Sequence, residues 1–134
     1  MIKPPKWLDV DLLIAQSLIG RSMARPRRSK LFVGAAIYDT KNSYYVGGNF
    51  EMQWQHCEHA EKTAILNGLC HDCGNIRAIC IAAERKLFTP CGDCMDKIIE
   101  FAEPDCFIMH YNPATKKSSY FGIKDIMPYY PTRE

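Results

Sequence analysis

His59-Ala60-Glu61 and Pro90-Cys91-Gly92-Asp93-Cys94 place an imidazole, two thiols and a carboxyl where a few turns of chain can gather them. Cys91 and Cys94 are three residues apart in a segment of helical character. Pro90 is read there as the first helical residue, where proline is well tolerated, so both thiols face one way. The positive end of that helix favours thiolates, the form that binds a metal. His59 supplies a third donor, and three protein donors with an open fourth position mark a catalytic rather than a structural zinc. Glu61 then acquires a role, because zinc lowers the pKa of a bound water to about 7 and a carboxylate within reach can take its proton and deliver it elsewhere. Residues two apart on a regular helix point away from each other, so His59 and Glu61 are expected to converge at an irregular helix start.

In a second Cys-x-x-Cys, Cys70 to Cys73, seventeen residues separate Cys73 from Cys91. That spacing also fits a four-cysteine zinc ribbon, a non-catalytic binding module that would leave His59 and Glu61 unused. The two readings differ in metal content once Cys70 and Cys73 are replaced. His56, His71 and His110 read as surface or packing histidines, and Cys57, Cys80 and Cys106 as core or half-buried thiols.

The elements that must carry these groups follow from periodicity. Residues 8–24 repeat Leu8, Leu12, Ala15, Leu18 and Ile19 at helical spacing, with Asp9 at the start and Pro26 beyond the end. FVGAAIYD and YYVGGNF flank the turn-prone Thr40-Lys41-Asn42-Ser43 and read as an antiparallel hairpin. A second helix is expected from about His56 to Leu69, with Ala60, Ala64, Ile65 and Leu69 inward. IRAICIAA is a continuous apolar run, as in a strand covered on both faces. The helix of Cys91 and Cys94 has the inner stripe Met95, Ile98, Ile99 and Ala102. DCFIMHY is another buried strand, and IKDIMPYY a short helix cut by Pro128. Strands alternating with helices imply an α/β fold, a three-layer α/β/α sandwich with a mixed sheet of about five strands, over a single domain spanning residues 1–134.

The 134 residues are 47% hydrophobic and 24% charged, ordinary globular usage. The first twenty residues interrupt their apolar positions with Asp9, Asp11 and Gln16, which fits neither a signal peptide nor a membrane span, and implies a cytoplasmic protein. Seven cysteines, an odd number without an export signal, point to metal, catalysis or burial rather than a disulfide framework. The net charge of +2 conceals a cluster, Arg21, Arg25, Arg27, Arg28 and Lys30. This cluster reads as a solvated loop or subunit contact rather than a nucleic-acid site.

His59-Ala60-Glu61 with Pro90-Cys91-Gly92-Asp93-Cys94 matches the H-x-E and P-C-x-x-C pattern of zinc-dependent nucleobase deaminases. Over nearly its whole length the chain resembles the cytidine deaminase family. Val33-Gly34-Ala35-Ala36 falls in the family's first strand, Asn49-Phe50-Glu51 at its Asn-x-Glu and Ile126-Met127-Pro128 at its terminal Leu-Leu-Pro. The resemblance implies that His59, Cys91 and Cys94 hold Zn2+, that Glu61 shuttles protons, and that Asn49 and Glu51 hold sugar hydroxyls. Ala60 and Phe32 are further candidates for substrate contact. The implied function is hydrolytic deamination of cytidine or deoxycytidine to the uridine product and ammonia, by a homo-oligomer, tetramer or dimer, acting on a small molecule with no membrane partner. The same chemistry on another aminopyrimidine, an aminopurine, a nucleotide or an aminopyrimidine antibiotic is the alternative.

Departures from the family cluster where a base would be recognised. Met95-Asp96 replaces Arg-Gln after the second cysteine. Leu31 stands where an aromatic residue is usual, with Phe32 one position over and expected on the other side of a strand. Met52 replaces an asparagine, Trp54 lies in an unusually long segment, and Pro131 replaces an aromatic for which Tyr129 and Tyr130 are the neighbouring substitutes.

Overall fold

The computed structural model describes residues 2–130. Its centre is a five-stranded mixed sheet built from β1 (Val33–Asp39), β2 (Tyr44–Gly48), β5 (Ile76–Ala83), β6 (Ala102–Asn112) and β7 (Lys117–Phe121), in the order β2-β1-β5-β6-β7. β5 and β6 are parallel, and the other neighbours are antiparallel. A two-stranded ladder of β3 (Phe50–Glu51) and β4 (Cys57–Glu58) stands apart. The helices are α1 (Val10–Ser22), α2 (Ala60–Cys70), α3 (Gly92–Phe101) and α4 (Ile123–Ile126).

Alternation along the strands sorts the side chains onto two faces. Ala36, Ala78, Cys80, Phe107 and Met109 pack on the side of α1, with Leu8 and Leu13. Ala35, Ile37, Ile79, Ile81 and Ile108 pack on the other, against Ala60, Ala64 and Ile65 of α2, Met95 and Ile98 of α3, and Ile123 of α4. Every residue of β5 except Arg77 is buried, as a strand covered on both faces requires. This is the expected three-layer sandwich.

The inner face of α1 differs from the expected one. Leu12 and Ile19 are 40% and 47% exposed, whereas Leu13, Ser17 and Gly20 are buried. Close approach decides this orientation. A Cβ on Gly20 would lie 2.4 Å from the Gly47 carbonyl oxygen, and one on Gly34 would lie 2.1 Å from that of Ser17. The small residues let the two backbones touch, and the dense packing outweighs the burial of two larger side chains. The helix begins at Val10, with the Asp9 side chain accepting from the Leu12 N–H at 3.0 Å.

The second helix starts at Ala60 rather than near His56, because Cys57 and Glu58 are drawn into the ladder with Glu51 and Phe50. Leu69 is 38% exposed, and Gly68 takes the inner position expected of it. Pro90 lies outside α3, whose N-cap is Cys91. YYVGGNF breaks after Gly48 into β2 and β3, and the polar strand β7 is an addition to the elements read from the sequence. Tyr130 packs against the core beneath α2 and α3, while Tyr129 is 93% exposed. Pro131 lies outside the described residues. No helix among these residues is long and apolar enough to cross a membrane.

Candidate active site

Two helix starts meet at the site. His59 is the N-cap of α2, with extended backbone (φ −76°, ψ 152°), and its side chain makes no capping bond. The imidazole is thus left for other work. Cys91 caps α3, its Sγ accepting from the Cys94 N–H at 3.5 Å, which fixes the thiol over the first turn. His59 Nδ1 lies 3.4 Å from Cys91 Sγ and 3.4 Å from Cys94 Sγ. The three donor atoms all lie within 4.8 Å of one another. Tetrahedral zinc, with bonds of about 2.3 Å to sulfur and 2.0–2.1 Å to nitrogen, spaces neighbouring donors roughly 3.5–3.8 Å apart. The donor set therefore fits such an ion in number, chemistry and spacing.

Glu61 is on the first turn of α2 and only 2% exposed. Because His59 is still extended, the two side chains converge, as the irregular start of the helix allows. The Glu61 carboxyl meets the Cys94 thiol. Burial pushes the Glu61 carboxyl up from its ordinary range, against the opposing influence of its own backbone N–H and of His59. Burial also pushes the Cys94 thiol up, reinforced by the negative charges of Glu61 and Cys91. Two thiolates and a carboxylate crowded together favour protons or a dication among them, so metal binding is expected to release protons.

A cavity of about 260 Å³ opens in front of His59, Glu61 and Cys91. Asn49, Glu51 and Ala60 line it, as do Leu31, Val33 and two residues that carry no motif of their own, Phe88 and Thr89. These two stand just before Pro90-Cys91, and that position is the signal in the sequence that could have found them. Phe32 is not among the lining residues. It is 44% exposed and borders a separate groove with Arg21, Lys30, Glu84 and Arg85, while Leu31 occupies the cavity wall. Alternation from Val33 puts Leu31 on the cavity side and Phe32, expected to contact substrate, outside this cavity.

Asn49 and Glu51 have evident structural work as well as cavity positions. Asn49 Oδ1 accepts from the Val33 N–H at 3.0 Å, and its Nδ2 donates to the Leu31 carbonyl at 2.9 Å. Glu51 Oε1 accepts from the Arg28 and Ser29 N–H groups at 2.7 and 2.9 Å. Bonds from the Ser29 hydroxyl and these two N–H groups hold the Glu51 carboxyl at about 2. A lowered folded-state pKa stabilises the protein above the ordinary value, and the contribution is lost as pH falls towards the lowered one. Glu51→Gln is thus expected to melt below the parent at pH 7, with the gap closing between pH 4.5 and about 2 in thermal scans.

The second cysteine pair is elsewhere. Cys70 and Cys73 lie at the end of α2, and the cluster suited to a metal among the described residues is His59, Cys91 and Cys94. This overturns the ribbon reading. Cys70 is exposed, and the loop that carries Cys73 is tied to the hairpin turn through Gly74 N–H, which donates to Asp39 Oδ2 at 2.8 Å. The double variant Cys70→Ser/Cys73→Ser is expected to retain its zinc in elemental analysis, whereas a ribbon would lose it. His110 is a buried packing histidine, and His71 stacks on Tyr45.

Fold and site together define an α/β/α metal-binding domain with a His-Cys-Cys centre and an adjoining buried carboxyl. Residues 11–110 match the family model described as the cytidine and deoxycytidylate deaminase zinc-binding region, and the chain belongs to that family. A cytidine deaminase of Sporosarcina psychrophila is 32% identical over 96 residues, 70% of this chain and 71% of its own length. One of Shewanella loihica is 29% identical over 115 residues, 83% of this chain. The match spans only 37% of that longer relative. Among solved structures, a cytidine deaminase of Burkholderia pseudomallei superposes with a TM-score of 0.82, at 24% identity, over 89% of this chain and 96% of its own. That likeness supports the fold.

Proposed function

We propose that the chain is a zinc-dependent hydrolytic deaminase of cytidine, deoxycytidine or a close analogue. The observation that carries this reading is the buried Glu61 carboxyl beside three converging metal donors at the floor of a cavity. His59, Cys91 and Cys94 would hold the ion. Two thiolates and a neutral imidazole balance its charge, which lessens the need for the arginine that Met95 replaces. When bound, zinc supplies a water acidic enough to be deprotonated near neutral pH.

Glu61 takes that proton and passes it to the ring nitrogen beside the amino-bearing carbon. The water oxygen bonds to this carbon, and the second water proton moves through Glu61 to the amino group as the C–N bond breaks. Water and amine are thereby converted to carbonyl and ammonia. Burial suits Glu61 to this work, since a raised pKa brings the group closer to the pH at which it must both accept and donate. Asn49 and Glu51 are proposed to meet the sugar hydroxyls while bracing residues 28–33, and Ala60 leaves room for the base between His59 and Glu61.

We also read residues 1–134 as one domain and the protein as cytoplasmic. Its several free thiols, Cys57, Cys70 and Cys91 exposed among them, favour a reducing compartment. Exposed Trp54 at the tip of the β3–β4 hairpin and Ile19 on α1 support a homo-oligomer, a tetramer or dimer. The test is ammonia release by zinc-loaded protein presented with cytidine, deoxycytidine, their monophosphates, cytosine, guanine and adenosine. Turnover of cytidine or deoxycytidine is expected. Turnover restricted to another amine would move the substrate assignment, and none from any of them would overturn the reading.

A further inference from the structure

β5 and β6 run parallel in register as far as Ala82 and Tyr111, after which β5 turns away towards α3. The connection is held at two carbonyls by side chains of β6. His110, 1% exposed, has Nε2 2.9 Å from the Ala83 carbonyl oxygen, so this nitrogen must carry the proton. Asn112 Nδ2 donates to the Arg85 carbonyl at 3.0 Å, while its Oδ1 accepts from the Ala114 N–H at 3.0 Å. Ile108, His110 and Asn112 share one face of the strand, the face under α2 and α3. Phe88 lies on that side, packs on the same core, and has its ring 6.2 Å from the His110 ring at 42°. It also lines the cavity, three residues before Cys91.

The cavity has two phenylalanines in its lining, Phe50 and Phe88. Phe50 belongs to the Asn49–Glu51 segment, assigned above to the sugar. Phe88 belongs to the segment that brings in Cys91, where the reacting ring must lie. With Leu31, also in the lining, offering no π-face, Phe88 is the aromatic surface available there to a planar heterocycle.

We propose that Phe88 is the specificity-determining ring on which the substrate's amino-bearing heterocycle packs, and that His110 and Asn112 are positioning residues that set it through the Ala83 and Arg85 carbonyls. The Phe88 assignment rests on the deaminase reading, while the positioning role stands on the backbone geometry alone. Loss of Phe88 removes ring packing and leaves Glu61 and the metal donors in place, so the effect falls on KM rather than kcat. Asn112→Asp removes the donor to Arg85 and keeps the acceptor for Ala114. His110→Gln retains a donor for Ala83, whereas His110→Leu does not.

The experiment combines steady-state kinetics, zinc analysis and hydrogen exchange of the 84–89 amides in the zinc-loaded protein. Phe88→Ala is expected to raise KM for cytidine roughly tenfold with kcat within about twofold. His110→Leu and Asn112→Asp are expected to speed exchange at 84–89 selectively and raise KM, with zinc content unchanged, and His110→Gln to recover much of both. Binding of cytidine in the Glu61→Gln background provides the same comparison without turnover. An unchanged KM in Phe88→Ala overturns the packing role. Unchanged local exchange, or a uniform rise across the whole chain, overturns the positioning role. Selective exchange in a parent that neither binds nor turns over cytidine upholds positioning and removes the Phe88 assignment together with the deaminase reading.

Discussion

Glu61→Gln is expected to keep its zinc and lose activity by roughly three to four orders of magnitude, because the proposed mechanism routes both proton transfers through this one carboxylate. The substitution preserves volume and a hydrogen-bonding head in a site where the side chain is 2% exposed. It leaves His59, Cys91 and Cys94 untouched, so a loss of metal would have to come from rearrangement of α2. An amide cannot accept the water proton at neutral pH, and it cannot hand a proton to the ring nitrogen. Elemental analysis should report equal zinc in parent and variant, and ammonia release should separate them. A Glu61→Gln protein with turnover near that of the parent would remove Glu61 from the mechanism.

Gly47→Ala is expected to unseat α2 and lower stability by about 3 kcal/mol, roughly 10 °C in Tm. A Cβ at position 47 would lie 2.2 Å from Thr63 Oγ1 and 2.3 Å from Ala64 N, neither of which can swing aside as a long side chain can. The same contact is sutured by hydrogen bonds from the helix to the edge strand. Thr63 Oγ1 donates to the Gly48 carbonyl at 2.8 Å, and Asn67 Nδ2 to the Val46 carbonyl at 3.2 Å. Since α2 carries His59 at its cap and Glu61 in its first turn, the displacement should also weaken zinc binding. Calorimetry and a chelator competition measure the two effects in one preparation. A variant with unaltered Tm and zinc affinity would show that this packing does not position the site.

The chemistry was more legible in the sequence than the packing that supports it. His59, Glu61, Cys91 and Cys94 are short-range patterns, and the helix starts that carry them follow from local signals. The faces of the helices were harder to read. A stripe count favours Leu12, Ile19 and Leu69, whereas Ser17, Gly20 and Gly68 lie inward because they fit against the sheet and its loops. Such close approach depends on glycines far apart in the chain, Gly20 against Gly47 for instance, and periodicity within one segment cannot report it. Asn49 and Glu51 could be picked out by resemblance. Their bonds to residues 28–33 are long-range contacts that appear only in the fold. Phe88 lacks a motif of its own and enters the cavity because β6 holds the chain that carries it.

The proposed mechanism requires a metal at His59, Cys91 and Cys94 to act together with proton transfer by Glu61, and the rate of ammonia release as a function of zinc loading tests that union most directly. Protein stripped by chelation and reloaded to graded occupancy should release ammonia from cytidine in proportion to bound zinc, reaching a maximum at one ion per chain and none at zero. Fully loaded protein that releases no ammonia, or a rate indifferent to zinc content, would contradict it.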